Sequence, residues 1–285
     1  RDGQYVATLD TPTAEISEGI RLMVGRTIYE EPKTKSMCPP DAPVVLEAEH
    51  LNSLDVKDVS FKLRKGEILG FAGLVGAGRS EVMRALTAVE KRLSGDVYLK
   101  GKKVHLSNPT DALKHGIGFL TEDRRTDGCA LKLDIKTNVN MSSYDMISKA
   151  GCLNLRKEKK RAEEFSRSVN VKTPSISQLV GNLSGGNQQK VVIAKLLCRD
   201  PEILIFDEPT VGIDVGAKQE IFKLIERLTE RGRGVILISS YLPEVMGLSD
   251  RLIVMAQGKI TAEYDKEALK TLTEADVLRM ASIED

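Results

Sequence analysis

The 285-residue sequence contains no tryptophan, three histidines and four cysteines, and each scarcity excludes a class of site. The cysteines, at positions 38, 129, 152 and 198, form no CxxC pair, so neither a zinc knot nor a disulfide framework is indicated. The histidines, at positions 50, 105 and 115, lack the spacing of a metal-binding pair. We therefore expect a reducing compartment and a chemistry that depends on other residue types.

Net charge and long apolar runs are also scarce. Lys and Arg number 42 against 41 Asp and Glu, so the net charge of +1 offers no overall attraction to nucleic acid. Charges interrupt even the most apolar stretch, 191–206, which falls short of the roughly 18 residues that a membrane-spanning helix needs. With 41% hydrophobic residues the composition indicates a globular protein with a sizeable core.

The two ends of the chain resemble each other. Residues 1–10 align with 256–265, sharing a Gly, an Ala and an Asp in register, and each segment predicts a turn into a short strand. A Met-containing apolar helix follows each of them, at 20–24 and at 277–281. Chance similarity over so short a span is the alternative. We interpret residues 1–27 as the tail of a preceding copy of the main domain.

The proline content separates this tail from the rest. Residues 28–43 contain four prolines among charges and predict an extended linker. The main domain is then expected at 44–265, and a C-terminal helix at 266–285.

Apolar strands alternate with helices through most of the main domain. The strands are expected at 59–63, 68–72, 117–120, 203–206, 235–238 and 252–255, and the helices from 79, at 188–198 and at 218–229. Continuously apolar strands separated by helices predict a buried, mainly parallel sheet of the α/β class. The segment from about 132 to 186 breaks this rhythm, with a charged helix at 157–169 and no convincing strand, and is interpreted as a helical insertion.

The strand at 68–72 leads into the glycine-rich segment 73–80 and then into a helix. Gly73, Gly76 and Gly78 let backbone N–H groups close around phosphate oxygens, and the helix directs its N-terminus at the anion. Arg79 stands where the pattern GxxxxGK[ST] has lysine, so this segment alone is equally compatible with a structural glycine turn. Ser80 remains available as a magnesium ligand.

A second motif occupies residues 183–190, where the helical insertion gives way to a helix. Ser184 can cap that helix, and Gly185 and Gly186 allow close backbone approach, so the segment can offer N–H donors and a hydroxyl to a phosphate. An ordinary capped helix is the alternative.

A third motif, residues 203–210, is an apolar strand that ends in two adjacent carboxylates. Asp207, at the carboxyl end of a strand beside a P-loop, can hold Mg²⁺ through water. Its neighbour Glu208 can orient an attacking water.

In their order and spacing these motifs resemble the ATP-binding cassette (ABC) family, with 104 positions from Ser80 to Ser184 and 23 from Ser184 to Asp207. The resemblance implies a P-loop NTPase of ABC type that binds ATP and Mg²⁺, with a mainly parallel core sheet, an antiparallel β part and a helical subdomain. It implies nucleotide contacts from Gly73, Gly76, Ala77, Gly78, Arg79, Ser80, Glu81, Ser184, Gly185, Gly186, Gln188 and Asp214. It assigns the metal to Ser80 and Asp207, and catalytic positions to Glu208, Glu122 and Ser240.

A closer resemblance is to the second cassette of bacterial monosaccharide importers of the ribose, galactose and xylose type. It rests on segments 78–80, 121–125, 187–190, 214–218 and 239–244. Such proteins fuse two cassettes head to tail in one polypeptide. The implied partners are that first cassette, transmembrane permease subunits and, through them, a periplasmic sugar-binding protein. The implied location is the cytoplasmic face of the bacterial inner membrane, with no nucleic acid bound; no residue reports the sugar.

Several positions depart from a working cassette. Arg79 replaces lysine, which is not a conservative change in a tight phosphate loop, and Glu81 stands where a hydroxyl residue is usual. Glu122 occupies the place of the Q-loop glutamine, Ser240 that of the switch histidine, and residues 52–58 offer no aromatic ring to adenine. The signature serine and glycines and the Asp214 loop are intact. We therefore expect this domain to complete the first cassette's ATP site while its own site binds and hydrolyses nucleotide poorly.

Alternatives remain open at this point. The departures also suit a regulatory or scaffolding module without catalysis. A family member that acts on ribosomes or DNA is disfavoured by the near-neutral charge and by the lack of a long coiled-coil insertion. Arg79 and Glu81 can instead pair with each other or with Asp207 as a structural ion cluster, and Met141 and Met146 can belong to the core or to a groove for a permease helix.

Overall fold

The computed structural model describes residues 5–10, 38–39 and 41–282. The strands in this part of the chain are β1 Val44–Asn52, β2 Val59–Arg64, β3 Ile68–Gly73, β4 Ser94–Leu99, β5 Lys102–Val104, β6 Ile117–Leu120, β7 Ser148–Lys149, β8 Cys152–Leu153, β9 Ile203–Asp207, β10 Gly234–Ile238, β11 Arg251–Ala256 and β12 Lys259–Tyr264. The α-helices are α1 Arg79–Leu86, α2 Pro109–Lys114, α3 Ile135–Asn140, α4 Leu155–Ser168, α5 Gly185–Leu197, α6 Val215–Glu230, α7 Leu242–Leu248, α8 Lys266–Leu269 and α9 Glu274–Ala281. A π-helical turn lies at Arg124–Gly128, and short 3₁₀ helices lie at Met141–Met146 and Val180–Asn182.

A six-stranded sheet forms the centre of the domain, in the order β12-β11-β3-β10-β9-β6. Its pairings are parallel except that β12 joins the edge antiparallel to β11. Strands β9 and β10 are buried along their whole length, because helices cover one face and a second sheet covers part of the other. The mainly parallel α/β sheet expected from the apolar strands is confirmed.

The antiparallel part is a four-stranded sheet in the order β2-β1-β4-β5. It packs on the central sheet through a shared apolar core, in which Phe61 of β2 meets Phe71 of β3 edge to face with ring centroids 5.2 Å apart. Strands β4 and β5 were not individually expected, since their residues are polar and only partly buried.

The helical subdomain contains α3 and α4 and leads into α5, as expected for the insertion. One expectation was wrong, because β7 and β8 form a two-stranded hairpin where no strand was predicted. The turn between β7 and β8 allows this hairpin, because Ala150 and Gly151 both have positive φ, 49° and 78°, as a tight two-residue hairpin turn requires.

The structure also modifies the expectations for the two ends. Residues 5–10 form no strand. The single C-terminal helix is divided into α8 and α9, since Thr273 and Asp276 form a capping box that starts a new helix. The helix at 20–24, most of the linker and residues 283–285 lie outside the described residues. Within the described ranges, no helix is long and apolar enough to cross a membrane.

Candidate functional site

Loops that follow four parallel strands meet at one edge of the central sheet. The glycine-rich segment 73–78 begins at the last residue of β3, and Glu122 follows β6. Asp207 ends β9 with Glu208 next to it, and Ser240 follows β10. Because parallel strands place their carboxyl ends on the same side, these loops form the crevice in which α/β proteins bind ligands. We call residues 73–81, Asp207, Glu208 and Ser240 the P-loop side.

The glycine-rich loop has a backbone shape that other residues adopt poorly. Gly76 and Gly78 have φ of 81° and 97°. A Cβ on Gly78 would lie 2.9 Å from the Cα of Gly258, in the β11–β12 turn. That turn supports the loop, since the Gly258 N–H donates to the Ala77 carbonyl at 3.0 Å. The loop ends at the N-terminus of α1, an arrangement that favours a phosphate.

Ser80 and Asp207 are in contact, as the magnesium hypothesis requires. The Ser80 hydroxyl donates to Asp207 Oδ1 at 3.0 Å, and the fully buried Asp207 has no hydrogen-bond partner for Oδ2 among the described residues. An orphaned carboxylate oxygen beside a hydroxyl is a donor set that suits Mg²⁺. The pKa of Asp207 is raised to about 6, chiefly by burial and also by the charges of Glu122 and Glu208, against the lowering effect of the Ser80 hydrogen bond.

The Arg79 side chain folds into the site. Its Nη1 donates to the Ser239 carbonyl at 2.9 Å, and its Nη2 lies 3.8 Å from Glu208 Oε1. The Ser240 hydroxyl donates to the other oxygen of Glu208 at 3.2 Å. Burial raises the pKa of Glu208, while the Arg79 charge and the Ser240 hydrogen bonds oppose the rise. The ion cluster that the sequence left open therefore centres on Glu208 and not on Glu81 or Asp207.

The other positions that depart from the usual cassette motifs are Glu122, Glu81 and the segment 52–58. Glu122 is exposed on the turn after β6, and Glu81 lies half-buried in the first turn of α1. The segment 52–58 contains no aromatic residue that could stack on adenine, and its Leu54 has 87% of its surface exposed.

A second group of predicted residues lies around the start of α5; we call Ser184–Gly186 with Gly212–Asp214 the signature side. Ser184 is exposed and precedes α5, but its hydroxyl does not cap the helix as expected; it accepts from Asn187 Nδ2 at 3.0 Å. Gly186 is needed for packing, since a Cβ there would lie 2.5 Å from the Cβ of Ala217. Asp214 is exposed and caps α6 by accepting from the Ala217 N–H at 2.9 Å.

Gln188, in contrast, is turned inward. Its Nε2 donates to the carbonyls of Val180 at 3.3 Å and Leu183 at 3.1 Å, and the residue is buried. It supports the loop before α5 from beneath, so its predicted nucleotide contact would be indirect.

The hydrogen bonds of two further residues, Arg124 and Glu244, were not predicted from the sequence. Arg124 donates to the carbonyls of Val211 and Gly212. Buried Glu244 accepts from Thr210 Oγ1 at 2.6 Å and from Lys218 Nζ at 2.9 Å, which joins Thr210, two residues after Glu208, to α6. Arg124 and Glu244 lie within segments 121–125 and 239–244, so the resemblance pointed at them, but spacing alone does not show what they bind.

Comparison with known proteins identifies the family. A family model described as ABC transporter matches residues 56–211, more than half of the chain. The chain belongs to the ABC transporter family. A ribose import ATP-binding protein of Lactococcus lactis subsp. cremoris (strain SK11) is 44% identical over 282 residues, covering 99% of this chain and 56% of that protein. A xylose import ATP-binding protein of Thermoanaerobacter pseudethanolicus is 44% identical over 276 residues, covering 94% of this chain and 54% of that protein.

Solved structures agree on the fold of this ABC domain. A nucleotide-free ATP-binding cassette from an ABC transporter matches with a TM-score of 0.72 at 22% identity, over 85% of this chain and 100% of that one. At such identity the likeness shows the fold alone. The chain spans about half the length of the curated relatives it matches.

Proposed function

We propose that this chain is the ATP-binding part of an importer that couples ATP binding and hydrolysis to the uptake of a monosaccharide. The relatives named for ribose and xylose import, 44% identical over nearly the whole chain, support the substrate class. The partners would be transmembrane permease subunits and, through them, a periplasmic sugar-binding protein. The chain would work at the cytoplasmic face of the inner membrane.

We further propose that it is the second of two fused cassettes and that its own site is degenerate. The observation that carries this is the contrast between the two sides. Arg79 has only 8% of its surface exposed, contacts Ser239 and approaches Glu208. The charged groups of the P-loop side therefore contact residues of this same domain. Ser184 and Asp214 are exposed and available to a partner. A matched length of about half of each relative leaves room for a first cassette in the same polypeptide.

The residues present fit ATP and Mg²⁺ in part. The positive-φ glycines and the start of α1 would hold phosphate, and Ser80 with Asp207 would hold the metal. Bound Mg²⁺ would supply charge neutralisation for the developing phosphate oxyanions. Glu208 would orient the attacking water, but its two oxygens already face Ser240 and Arg79. We therefore expect slow turnover at this domain's own site.

On the signature side, the expected role is to complete another cassette's site. Ser184 would donate its hydroxyl to the phosphate of a nucleotide held by the first P-loop, with the N–H groups at the start of α5 adding to it. The close packing of Gly186 on Ala217 fixes the direction of α5 and so the position of Ser184.

The test compares Ser184→Arg with Arg79→Ala in the intact polypeptide, assembled with its permease and supplied with sugar-loaded binding protein. Blocking the signature side should reduce hydrolysis about 100-fold, the typical effect of losing a transition-state donor. Arg79→Ala should change it less than about threefold, because that site contributes little turnover. Ser168→Arg, the same replacement at an exposed serine ending α4, serves as the control. A larger loss from Arg79→Ala than from Ser184→Arg would contradict the proposal.

A second candidate function is a nucleotide-binding module without catalysis, which the Arg79–Glu208 contact also favours. Hydrolysis by this chain alone, and mixed with the first cassette, separates the two. If this chain adds nothing to the first cassette's rate, the regulatory reading is supported and the shared-site proposal is wrong.

A further inference from the structure

The turn that follows β6 is bound directly to the signature side. Arg124 Nη1 donates to the Val211 carbonyl at 2.6 Å, and Nη2 donates to the Gly212 carbonyl at 3.1 Å. One guanidinium thus holds two successive carbonyls, and charged donors make stronger hydrogen bonds than neutral ones. Because these carbonyls lie in the loop that leads from Glu208 to Asp214, Arg124 fixes the path of that loop.

The space around the guanidinium requires glycine. A Cβ on Gly185 would lie 2.8 Å from Arg124 Nη2 and 2.8 Å from the Gly212 oxygen. A Cβ on Gly212 would lie 3.4 Å from both Nη atoms, and Gly212 has φ of 67°. Arg124, Gly185 and Gly212 therefore pack as one unit, which we call the Arg124 clamp. The guanidinium is therefore packed against the residue next to Ser184.

The backbone of Arg124 belongs to a tightly bonded turn. Its N–H donates to the Glu122 carbonyl at 3.1 Å, and its own carbonyl accepts from the Cys129 N–H at 2.9 Å. The Asp123 carboxylate accepts from the N–H groups of Arg125 at 2.9 Å and Thr126 at 3.1 Å. The turn 122–128 is thus internally braced, so a displacement of Glu122 carries Arg124 with it.

The clamp is not arranged for stability alone. Arg124 Nε is buried without a hydrogen-bond partner among the described residues, which costs stability. The turn is π-helical, a geometry frequent at functional sites. A buried donor without a partner calls for an explanation, and here the guanidinium is placed by the two loop carbonyls that it holds.

We propose that Arg124 is a positioning residue that transmits a displacement of the 122–128 turn to Ser184 and Asp214. The clamp would set whether the signature side can close on a nucleotide held by another cassette. This rests on the proposed function, in which the signature side serves a partner site.

The first experiment measures the clamp itself, by amide hydrogen exchange on the intact polypeptide. Arg124→Ala should lower the protection of amides 211–216 about tenfold, since the loop loses both side-chain bonds. Arg125→Ala is the matched control, with the same loss of charge at an exposed neighbour, and should leave these amides unchanged. Unchanged exchange in Arg124→Ala would overturn the proposal.

The second experiment measures hydrolysis in the polypeptide assembled with its permease and sugar-loaded binding protein. Arg124→Ala should lower kcat about 10- to 100-fold with little change in the KM for ATP, because positioning is lost and the P-loops are untouched. Arg124→Lys should recover part of kcat, since an ammonium reaches one carbonyl. A purely structural role would instead lower the amount of folded protein and leave kcat per folded molecule unchanged.

The outcomes distinguish this inference from the proposed function. If Arg124→Ala loosens residues 211–216 but kcat is normal, while Ser184→Arg abolishes hydrolysis, the positioning role is wrong and the shared site stands. If Ser184→Arg also leaves hydrolysis normal, the proposed function itself fails.

Discussion

The P-loop side and the signature side of this domain differ in what their functional groups bind. On the P-loop side, Arg79, Asp207 and Glu208 are buried and contact one another or nearby loop atoms. On the signature side, Ser184 and Asp214 are exposed, and their contacts are local ones that hold the two loops in place. The difference teaches that one domain can hold two groups of polar residues in different ways: the P-loop side through contacts among its own buried groups, and the signature side through local contacts that leave its key side chains exposed.

The two sides also differ in the environment of a carboxylate near each of them, Asp207 on the P-loop side and the partly buried Glu220 near the signature side. Asp207 is fully buried, its side chain forms a hydrogen bond with Ser80, and burial raises its pKa. Glu220, under the signature side, accepts from Lys190 Nζ of α5 at 2.5 Å. Burial raises the pKa of Glu220, but the hydrogen bond and charge of Lys190 outweigh burial and lower it overall. The two carboxylates should therefore affect stability with opposite dependence on pH.

The largest expected effect is that of Asp207→Asn, measured by chemical unfolding without nucleotide and with a chelator. Between pH 3.8 and about 6 the folded state keeps a proton that the unfolded state has lost, so the free energy of unfolding of the wild type falls as pH rises through this window. The variant should lack this fall and be more stable by up to about 3 kcal/mol above pH 6. Near pH 3.5 the two should be alike.

Asp55→Asn is the control for this prediction, since Asp55 is exposed and outside the site. A variant Asp207→Asn that is less stable than wild type at pH 8 would mean that the buried carboxylate is stabilised by its surroundings, and the contrast between the two sides would be lost.

A smaller effect is expected of Gly186→Ala, which adds a methyl group where a Cβ meets Ala217 at 2.5 Å. Separating α5 from α6 should cost about 2 kcal/mol of unfolding free energy, as overpacking does. Gly247→Ala in α7, where an added Cβ meets nothing within 4 Å, should be neutral or stabilising by about 0.5 kcal/mol. Equal effects of the two variants would show that α5 is not held by this contact.

The smallest effect is that of Glu220→Gln. At pH 7 the change leaves the nearly buried Lys190 without its anionic partner and should cost about 1.5 kcal/mol in thermal or chemical unfolding. A carboxyl with a lowered pKa contributes stability above its ordinary pKa of 4.5 and loses it as pH falls through the lower folded-state pKa, so the penalty of the substitution should shrink in acid. Glu230→Gln, at the exposed end of α6, should show no such pH dependence.

Sequence patterns anticipated the central elements because burial dictates them. Strands β3, β6, β9 and β10 are apolar and lie within one or two residues of their expected bounds. Helix α6 starts three residues earlier than expected, at Val215, since the Asp214 carboxylate caps it. Strands β4 and β5 and the β7–β8 hairpin were missed because their residues are polar or the strands are too short to show a pattern.

The sequence by itself determined which residue types are present and in what order, and from these it predicted the chemistry: glycines for a phosphate loop, a hydroxyl and a carboxylate for a metal, and a serine with two glycines for a second surface. Such predictions depend only on residue types and on their order along the chain. Only the tertiary structure decided which groups meet. Arg79 reaches Ser239 and approaches Glu208, and Arg124 reaches Val211 and Gly212, across separations of 160, 129, 87 and 88 residues. These contacts arise because parallel strands place their carboxyl ends on the same side of the sheet. No local sequence pattern predicts them.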